Sequence, residues 1–431
     1  MTSSAIGQDA LQDELRAKLL ANLLADPLVG AIFQLARNCG GEARIVGGAV
    51  RDIYLNAENS KKTDADVLPP LPPADIDMAD IDMAVSVPIE NFATAARHAG
   101  LAVYDTGLAH GTVTLRADNR QIEVTQLRID HDQDGRHARI EATRSWELDA
   151  QRRDFTMNAL YLDEQGIVYD PVGGLADITA RQLRFIGTAS DRLAEDYLRL
   201  LRGLRFRAEY PELWMEDKDR AAMGAAIAGL AGLSAERIAI ELRKLCAGPA
   251  AEAMILEMQA LSIDKALFDQ GFIRLPMEWE ILRDIWPYLD FVGRLGMVFS
   301  KGQCAAIATR LKCSRQEIKQ ARRIDASRPE ALQKMLGTSA WQQAAYHLSP
   351  EAVFSYGEAV LAGLFAPDQS RLRHIAGFQL PRCPVMGGDI KSAFGLEGPD
   401  ISRKLTAIEA EWVASNFTRT AKELLDAGKD K

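Results

Sequence analysis

Strand-like patterning in this chain stops at DPVGG (170–174), and from Asp191 to the C-terminus apolar residues recur at helical spacing, broken only by proline-marked turns. That asymmetry predicts an α+β unit followed by an all-α remainder. With 431 residues, 47% hydrophobic and 26% charged, the chain has the length of two to four domains and the composition to bury real cores.

Within the first part, Leu11, Leu15, Leu19 and Leu23 mark one amphipathic helix, and 28–35 a second that Gly40-Gly41 closes. A short strand, ARIV (43–46), runs into Gly47-Gly48 and a helix over 49–55. Further strand-like pieces lie at 81–87, 112–116, 121–127 and 155–162, with a helix at 89–98. Between them, 57–74 turns polar and then proline-rich (VLPPLPPA), a loop longer than most connections in compact domains. These breaks suggest a helical extension over 1–27, a head over 28–165 with a small mixed sheet and helices, a helical neck over 166–255, and a helical body and tail over 256–431.

Apolar runs such as 225–233 are too short to span a membrane, and MTSSAIGQDA lacks the basic start and apolar centre of a signal peptide. A cytoplasmic protein with no membrane partner is expected. The five cysteines are odd in number and never spaced as CxxC, which makes them apolar fillers rather than disulfide or zinc partners. A net charge of −9 does not advertise a nucleic-acid binder, so such a role needs a local basic face. One stretch qualifies: 301–328 carries eight Lys or Arg against Glu317 and Asp325. There Arg315, Lys319, Arg322 and Arg323 share a helical stripe suited to RNA phosphates, although a merely solvated face has the same spacing.

Three motifs carry chemistry. IVGGAVRD (45–52) is a strand that breaks at two glycines directly before a helix, the arrangement in which backbone N–H groups and a helix N-terminus meet a phosphate, with Arg51 in the first turn. An ordinary turn has the same sequence. ADIDMADIDMAV (74–85) writes DIDM twice, five positions apart, so Asp75 and Asp77 would face one side of a strand and Asp80 and Asp82 the other. Two carboxylates at i and i+2 can converge on one Mg²⁺. Ile81, Met83 and Val85 give the second copy a buried opposite face, whereas the first begins two residues after Pro72-Pro73; the metal ligands are therefore expected to be Asp80 and Asp82. Finally, EDYLRLLRGLRF (195–206) repeats Asp196, Arg199, Arg202 and Arg205 every three residues beside a leucine stripe. Arginines in such a row repel unless acceptors lie across from them. His131-Asp132 and His110 read as loop and turn residues.

GGAVRD, DIDMAVSVP, HGTVTL, IEVTQLR, RRDFTMNALYLD, DPVGG and EDYLRLLRGLRF occur here in the order found in class II tRNA nucleotidyltransferases, the CCA-adding enzymes, and in bacterial poly(A) polymerases, which this chain resembles from Ile45 to about Pro249. The proline-rich segment between Asp52 and Asp80 departs from the short connection usual in that family.

The resemblance implies that Asp80 and Asp82 hold Mg²⁺; Glu123 stands at a strand position of IEVTQL that suits a third, catalytic carboxylate, although a surface strand residue has the same place. It implies that Gly48 and Arg51 contact the triphosphate, that Gly47 and Arg153 lie beside the bound nucleotide, that Asp154 selects ribose, and that Asp196 and Arg199, on a helix with Arg202 and Arg205, read the incoming base. The implied reaction is attack of a tRNA 3′-OH on the α-phosphate of CTP or ATP. A poly(A) polymerase or an A-adding or CC-adding specialist shares these motifs. The basic-aromatic signature of poly(A) polymerases is not evident over 101–128, which favours CCA addition. A non-catalytic RNA-binding protein that kept the fold is the rival of a different class.

Overall fold

The computed structural model describes residues 3–59, 81–118, 120–131, 139–268, 271–272, 276–300, 302–326, 341–348, 351–362, 364 and 366–428. The chain divides into two compact units, 1–233 and 234–431.

The first unit opens with helices α1 (Ser3–Leu24) and α2 (Pro27–Asn38), the latter started by Asp26, whose carboxylate accepts from the Leu28 and Val29 N–H groups. Its centre is a seven-stranded sheet in the order β3-β4-β5-β2-β1-β8-β9. The strands are β1 (Ala43–Val46), β2 (Ile81–Val85), β3 (Ala102–Tyr104), β4 (Thr112–Ala117), β5 (Arg120–Gln126), β8 (Tyr161–Leu162) and β9 (Val168–Tyr169). β2 and β5 run parallel and every other neighbouring pair antiparallel, so the sheet is mixed. A separate hairpin joins β6 (Arg128–His131) to β7 (Arg139–Ala142).

Side-chain alternation divides the faces. Ile45, Ile81, Met83, Ile122 and Val124, all 1% exposed or less, point to the side where α2, α3 (Gly48–Asn59) and α4 (Ile89–His98) pack. On the opposite face, Val46, Ala84, Trp146, Ala150, Ala159 and Tyr161 form a second cluster, which leaves Asp82 and Glu123 in solvent. Helix α5 (Trp146–Gln151) supplies the lid of that cluster. Arg44 lies over the Trp146 and Tyr169 rings at 4.3 and 4.9 Å, so even this charged residue is covered by aromatic surface.

The expected strand over 155–162 is corrected: a 3₁₀ turn occupies Thr156–Asn158, and strand pairing begins only at Tyr161. The reason is local. Asp154 accepts from the Phe155 N–H and from Asn158 Nδ2, a side-chain clasp that competes with an extended backbone. Short strands at Ala102–Tyr104, Arg128–His131, Arg139–Ala142 and Val168–Tyr169 went unexpected.

Helices follow the sheet: α6 (Gly174–Thr179), α7 (Ala189–Glu195), α8 (Leu198–Glu209) and α9 (Asp217–Ala225). Phe155 anchors α8, with its ring 5.6 Å from Phe206 and its tip 3.4 Å from where a Cβ on Gly203 would sit. Every regular element described in the second unit is a helix. Ser234 caps its first helix, Ala235–Ala247, and a terminal cluster gathers Ile390, Ile408, Trp412, Val413 and Leu424. Among the described residues no single helix is long and apolar enough to cross a membrane.

Candidate active site

The site is built where β1 ends. Gly47 has φ +77°, a left-handed conformation that glycine adopts without penalty, and it turns the chain from strand into α3. The first N–H groups of α3 have no carbonyl within the helix to bond, so they form an anion-binding terminus. Two guanidinium groups overhang it. Arg51 Nη2 lies 3.7 Å from the Cβ position of Gly48, and Arg153 Nη1 lies 3.9 Å from that of Gly47. Any side chain on this turn would occupy the space beneath those cations.

Beside the turn, Val46 pairs with Asp82 on β2, and Asp82 pairs in register with Glu123 on parallel β5. Asp82 and Glu123 are both exposed between buried neighbours, so their carboxylates emerge side by side on one face. Their oxygen-only donors suit a hard divalent cation. Asp80 and the upstream pair, Asp75 and Asp77, lie outside the described residues, and among the described residues no group of three His, Cys, Asp or Glu is placed to hold a metal.

Arg51 and Arg153 are held by acceptors that the sequence did not single out. Arg51, 7% exposed, donates through Nε to Asp52 at 2.7 Å and through Nη1 to Asn158 Oδ1 at 2.6 Å, and it lies 4.7 Å from the Phe206 ring centre. Asp52 also accepts from the Tyr210 hydroxyl at 2.6 Å. Arg153 donates to Asp149 at 3.0 Å and to the Tyr161 hydroxyl at 3.1 Å. Asp149 is 1% exposed and takes Arg152 and the Tyr161 hydroxyl as well. Burial alone would raise its carboxyl, but the Arg153 and Arg152 guanidinia and Tyr161 outweigh burial and hold it below the usual range. Its spacing of three and four residues before Arg152 and Arg153 is the one signal that could have revealed it.

Asp154 receives three donors: the Phe155 N–H at 2.8 Å, Asn158 Nδ2 at 2.9 Å and Arg202 Nε at 2.5 Å. Burial would push this carboxyl up, but Arg202 and these hydrogen bonds hold it well below its ordinary value. It is therefore an acceptor only.

The expected single helix over 195–206 is broken. Asp196 is extended, with φ −154° and ψ 103°, and ends α7; its carboxylate accepts from the Leu198 N–H that opens α8. Only Arg199, Arg202 and Arg205 therefore share the helical row, and each meets the acceptor such a row demands. Arg199 bonds Glu195 at 2.6 Å and the carbonyls of Arg192 and Arg152. Arg202 takes Asp154, while Arg205 lies 4.0 Å from the Phe206 ring centre and 3.4 Å from Glu209. In the second unit, Arg315, Lys319 and Arg322 stand exposed on the helix Arg315–Ala326, whereas Arg323 is held by the buried Glu351 at 2.6 Å. His110 ends a 3₁₀ turn.

The family model described as the poly A polymerase head domain matches residues 43–184, the span that contains the glycine turn, Asp82, Glu123 and the 149–158 segment. The chain is 28% identical over 436 residues to CCA tRNA nucleotidyltransferase 1, mitochondrial, of Danio rerio, a match covering 96% of this chain and 92% of that protein. The CCA-adding enzyme of Listeria monocytogenes is 35% identical over 221 residues, 51% of this chain and 50% of its own. The crystal structure of the Bacillus stearothermophilus CCA-adding enzyme in complex with CTP matches with a TM-score of 0.61 at 25% identity, covering 93% of this chain and 95% of that one. The glycine turn, the in-register carboxylates and these likenesses agree: residues 43–184 match the poly A polymerase head domain, and the chain is similar along most of its length to CCA-adding enzymes.

Proposed function

We propose that this enzyme adds C and A to the 3′ end of tRNA, using CTP and ATP and releasing pyrophosphate. The observation that carries the reading is the register of Val46, Asp82 and Glu123, which sets a carboxylate pair beside a glycine turn overhung by two arginines.

Enzymes of this family use divalent metals, and Asp82, Glu123 and the neighbouring Asp80 offer the oxygen donors that suit Mg²⁺. Bound there, the ion supplies activation of the tRNA 3′-hydroxyl and neutralisation of developing charge. Positioning is the work of the chain itself. The N-terminal N–H groups of α3, with Arg51 and Arg153, hold the triphosphate so that the α-phosphate faces the incoming hydroxyl. No protein nucleophile is required.

Asp154, a carboxylate that already takes three protein donors, accepts from the ribose 2′-hydroxyl. Asp196 accepts from the exocyclic amine that cytosine and adenine share, and Arg199 donates to the ring acceptor beside it. Three of the five Arg199 N–H donors are already bonded to protein, which aims the remaining two without leaving the guanidinium free to wander. Uracil and guanine present the reverse pattern. Arg315, Lys319 and Arg322 contact the tRNA backbone.

The test offers a tRNA ending at its discriminator base one nucleotide at a time, with Mg²⁺ and with a chelator control. CTP alone is expected to be incorporated and ATP alone is not. A ladder of A residues from ATP alone would make the enzyme a poly(A) polymerase, and no incorporation from any nucleotide would leave an RNA-binding protein on this fold.

A further inference from the structure

Asn158 lies between the two halves of the nucleotide site. Its Oδ1 accepts from Arg51 Nη1 at 2.6 Å, and its Nδ2 donates to Asp154 Oδ1 at 2.9 Å. Both bonds are buried, and Asn158 itself is 5% exposed. Beyond them the chain continues on each side: Arg51 to Asp52 and Tyr210, and Asp154 to Arg202 on α8.

The chemistry of the two neighbours fixes the amide. A guanidinium only donates, and an ionised carboxylate only accepts, so Asn158 must turn its oxygen to Arg51 and its nitrogen to Asp154. No other side chain of this size offers one acceptor and one donor at the ends of a neutral planar group. Aspartate would keep the acceptor for Arg51 but set a second negative charge against Asp154. Alanine would remove both hydrogen bonds. The position is also closed from behind: the Asn158 carbonyl lies 3.9 Å from the Cβ position of Gly47, so the same residue backs the glycine turn.

We infer that Asn158 is a positioning residue that aims Arg51 at the triphosphate and Asp154 at the ribose, so that phosphate binding and sugar choice are set by one buried amide. This rests on the reading of Asp154 as the ribose acceptor. An undirected Asp154 can still accept from water and no longer reports whether a 2′-hydroxyl is present. Without Asn158, Arg51 keeps Asp52 and the Phe206 ring but loses the acceptor that fixes its Nη1 end.

The test measures kcat/KM for ATP and dATP on a tRNA ending in CC, in the wild type, Asn158→Ala, Asn158→Asp and Asp154→Ala. Each ratio comes from one preparation, so any unfolded fraction cancels. Asn158→Ala is expected to lower the ATP:dATP ratio about tenfold, the scale of one hydrogen bond to a charged group, and to raise KM for ATP. Asn158→Asp, which fills the same volume, is expected to lower the ratio as much while raising KM less, because Arg51 keeps its acceptor. Asp154→Ala is expected to lose the discrimination. If Asp154→Ala retains the wild-type ratio, the ribose reading itself fails. If Asp154→Ala loses it while both Asn158 variants keep it, Asn158 is only a packing residue and the inference is overturned.

Discussion

The arginines around the glycine turn and those along the helix Arg315–Ala326 meet solvent in opposite ways. Arg51, Arg199 and Arg205 are 6–7% exposed and each has a carboxylate, amide, carbonyl or ring to hold it. Arg315, Lys319 and Arg322 stand out in water. A guanidinium fixed in advance loses little rotamer freedom on binding and aims its donors at one place. An exposed cation gives attraction without aim, and salt screens it. Arg323 is intermediate, 43% exposed yet bound through both Nε and Nη2 to the 8% exposed Glu351. The first arrangement suits reading a small ligand atom by atom, and the second suits holding a long polyanion.

The largest effect that would sharpen this contrast comes from the carboxylates beside the glycine turn. Asp82→Ala should lower nucleotide transfer about a thousandfold or more, since a metal ligand contributes several kcal/mol to the barrier. Asp75→Ala and Asp77→Ala should be close to silent. Single-turnover rates on tRNA measure all three, and an essential upstream pair with a dispensable Asp82 would reverse the assignment of the duplicated DIDM.

Base choice comes next. Asp196→Ala should raise UTP incorporation relative to CTP by about tenfold to a hundredfold, the value of one bidentate base contact. Arg199→Ala should weaken CTP and ATP together. Comparing all four nucleotides on one acceptor decides this. A uniform loss of rate with the preference for C and A intact would mean that Asp196 acts only as the cap of α8.

How much of this was legible in the sequence depends on how local each signal was. The glycine turn and the alternation that exposes Asp82 on β2 and Glu123 on β5 are written in turn chemistry and strand period, which act within a few residues. Tyr210 reaching Asp52, or Asn158 reaching Arg51, depends on pairings more than 100 residues apart that no local period encodes. The strand expected over 155–162 failed because Asp154 and Asn158, four residues apart, clasp each other and close a turn. The helix expected over 195–206 failed because Asp196 spends its carboxylate on the Leu198 N–H, and leucines on both sides of the break hide it. The two-residue pairing of β8 with β9 is too short to carry a pattern.

Removing the charge that fixes one arginine tests preorganisation directly. Asp149→Asn keeps the shape of the side chain but frees Arg153, and KM for CTP should rise about tenfold with a smaller change in kcat. Asp149→Ala leaves two cations beside a buried hole and should destabilise the first unit by about 3–5 kcal/mol in denaturant unfolding.

The smallest effect belongs to the exposed face. Replacing Arg315, Lys319 and Arg322 by alanine should reduce the salt slope of tRNA binding by roughly 0.7 to 0.9 for each phosphate no longer neutralised, without changing nucleotide affinity. An unchanged slope would show this helix to be only solvated, and would place the electrostatic footprint elsewhere.

The central claim is that one protein site, without a nucleic-acid template, writes a defined sequence. It is tested most directly by incubating the enzyme with tRNA ending at the discriminator base, CTP, ATP and Mg²⁺, and sequencing the extended 3′ ends. Addition of C, C and A followed by arrest is the expected result. A growing tail of A that ignores CTP, or C and A in no fixed order, would contradict it.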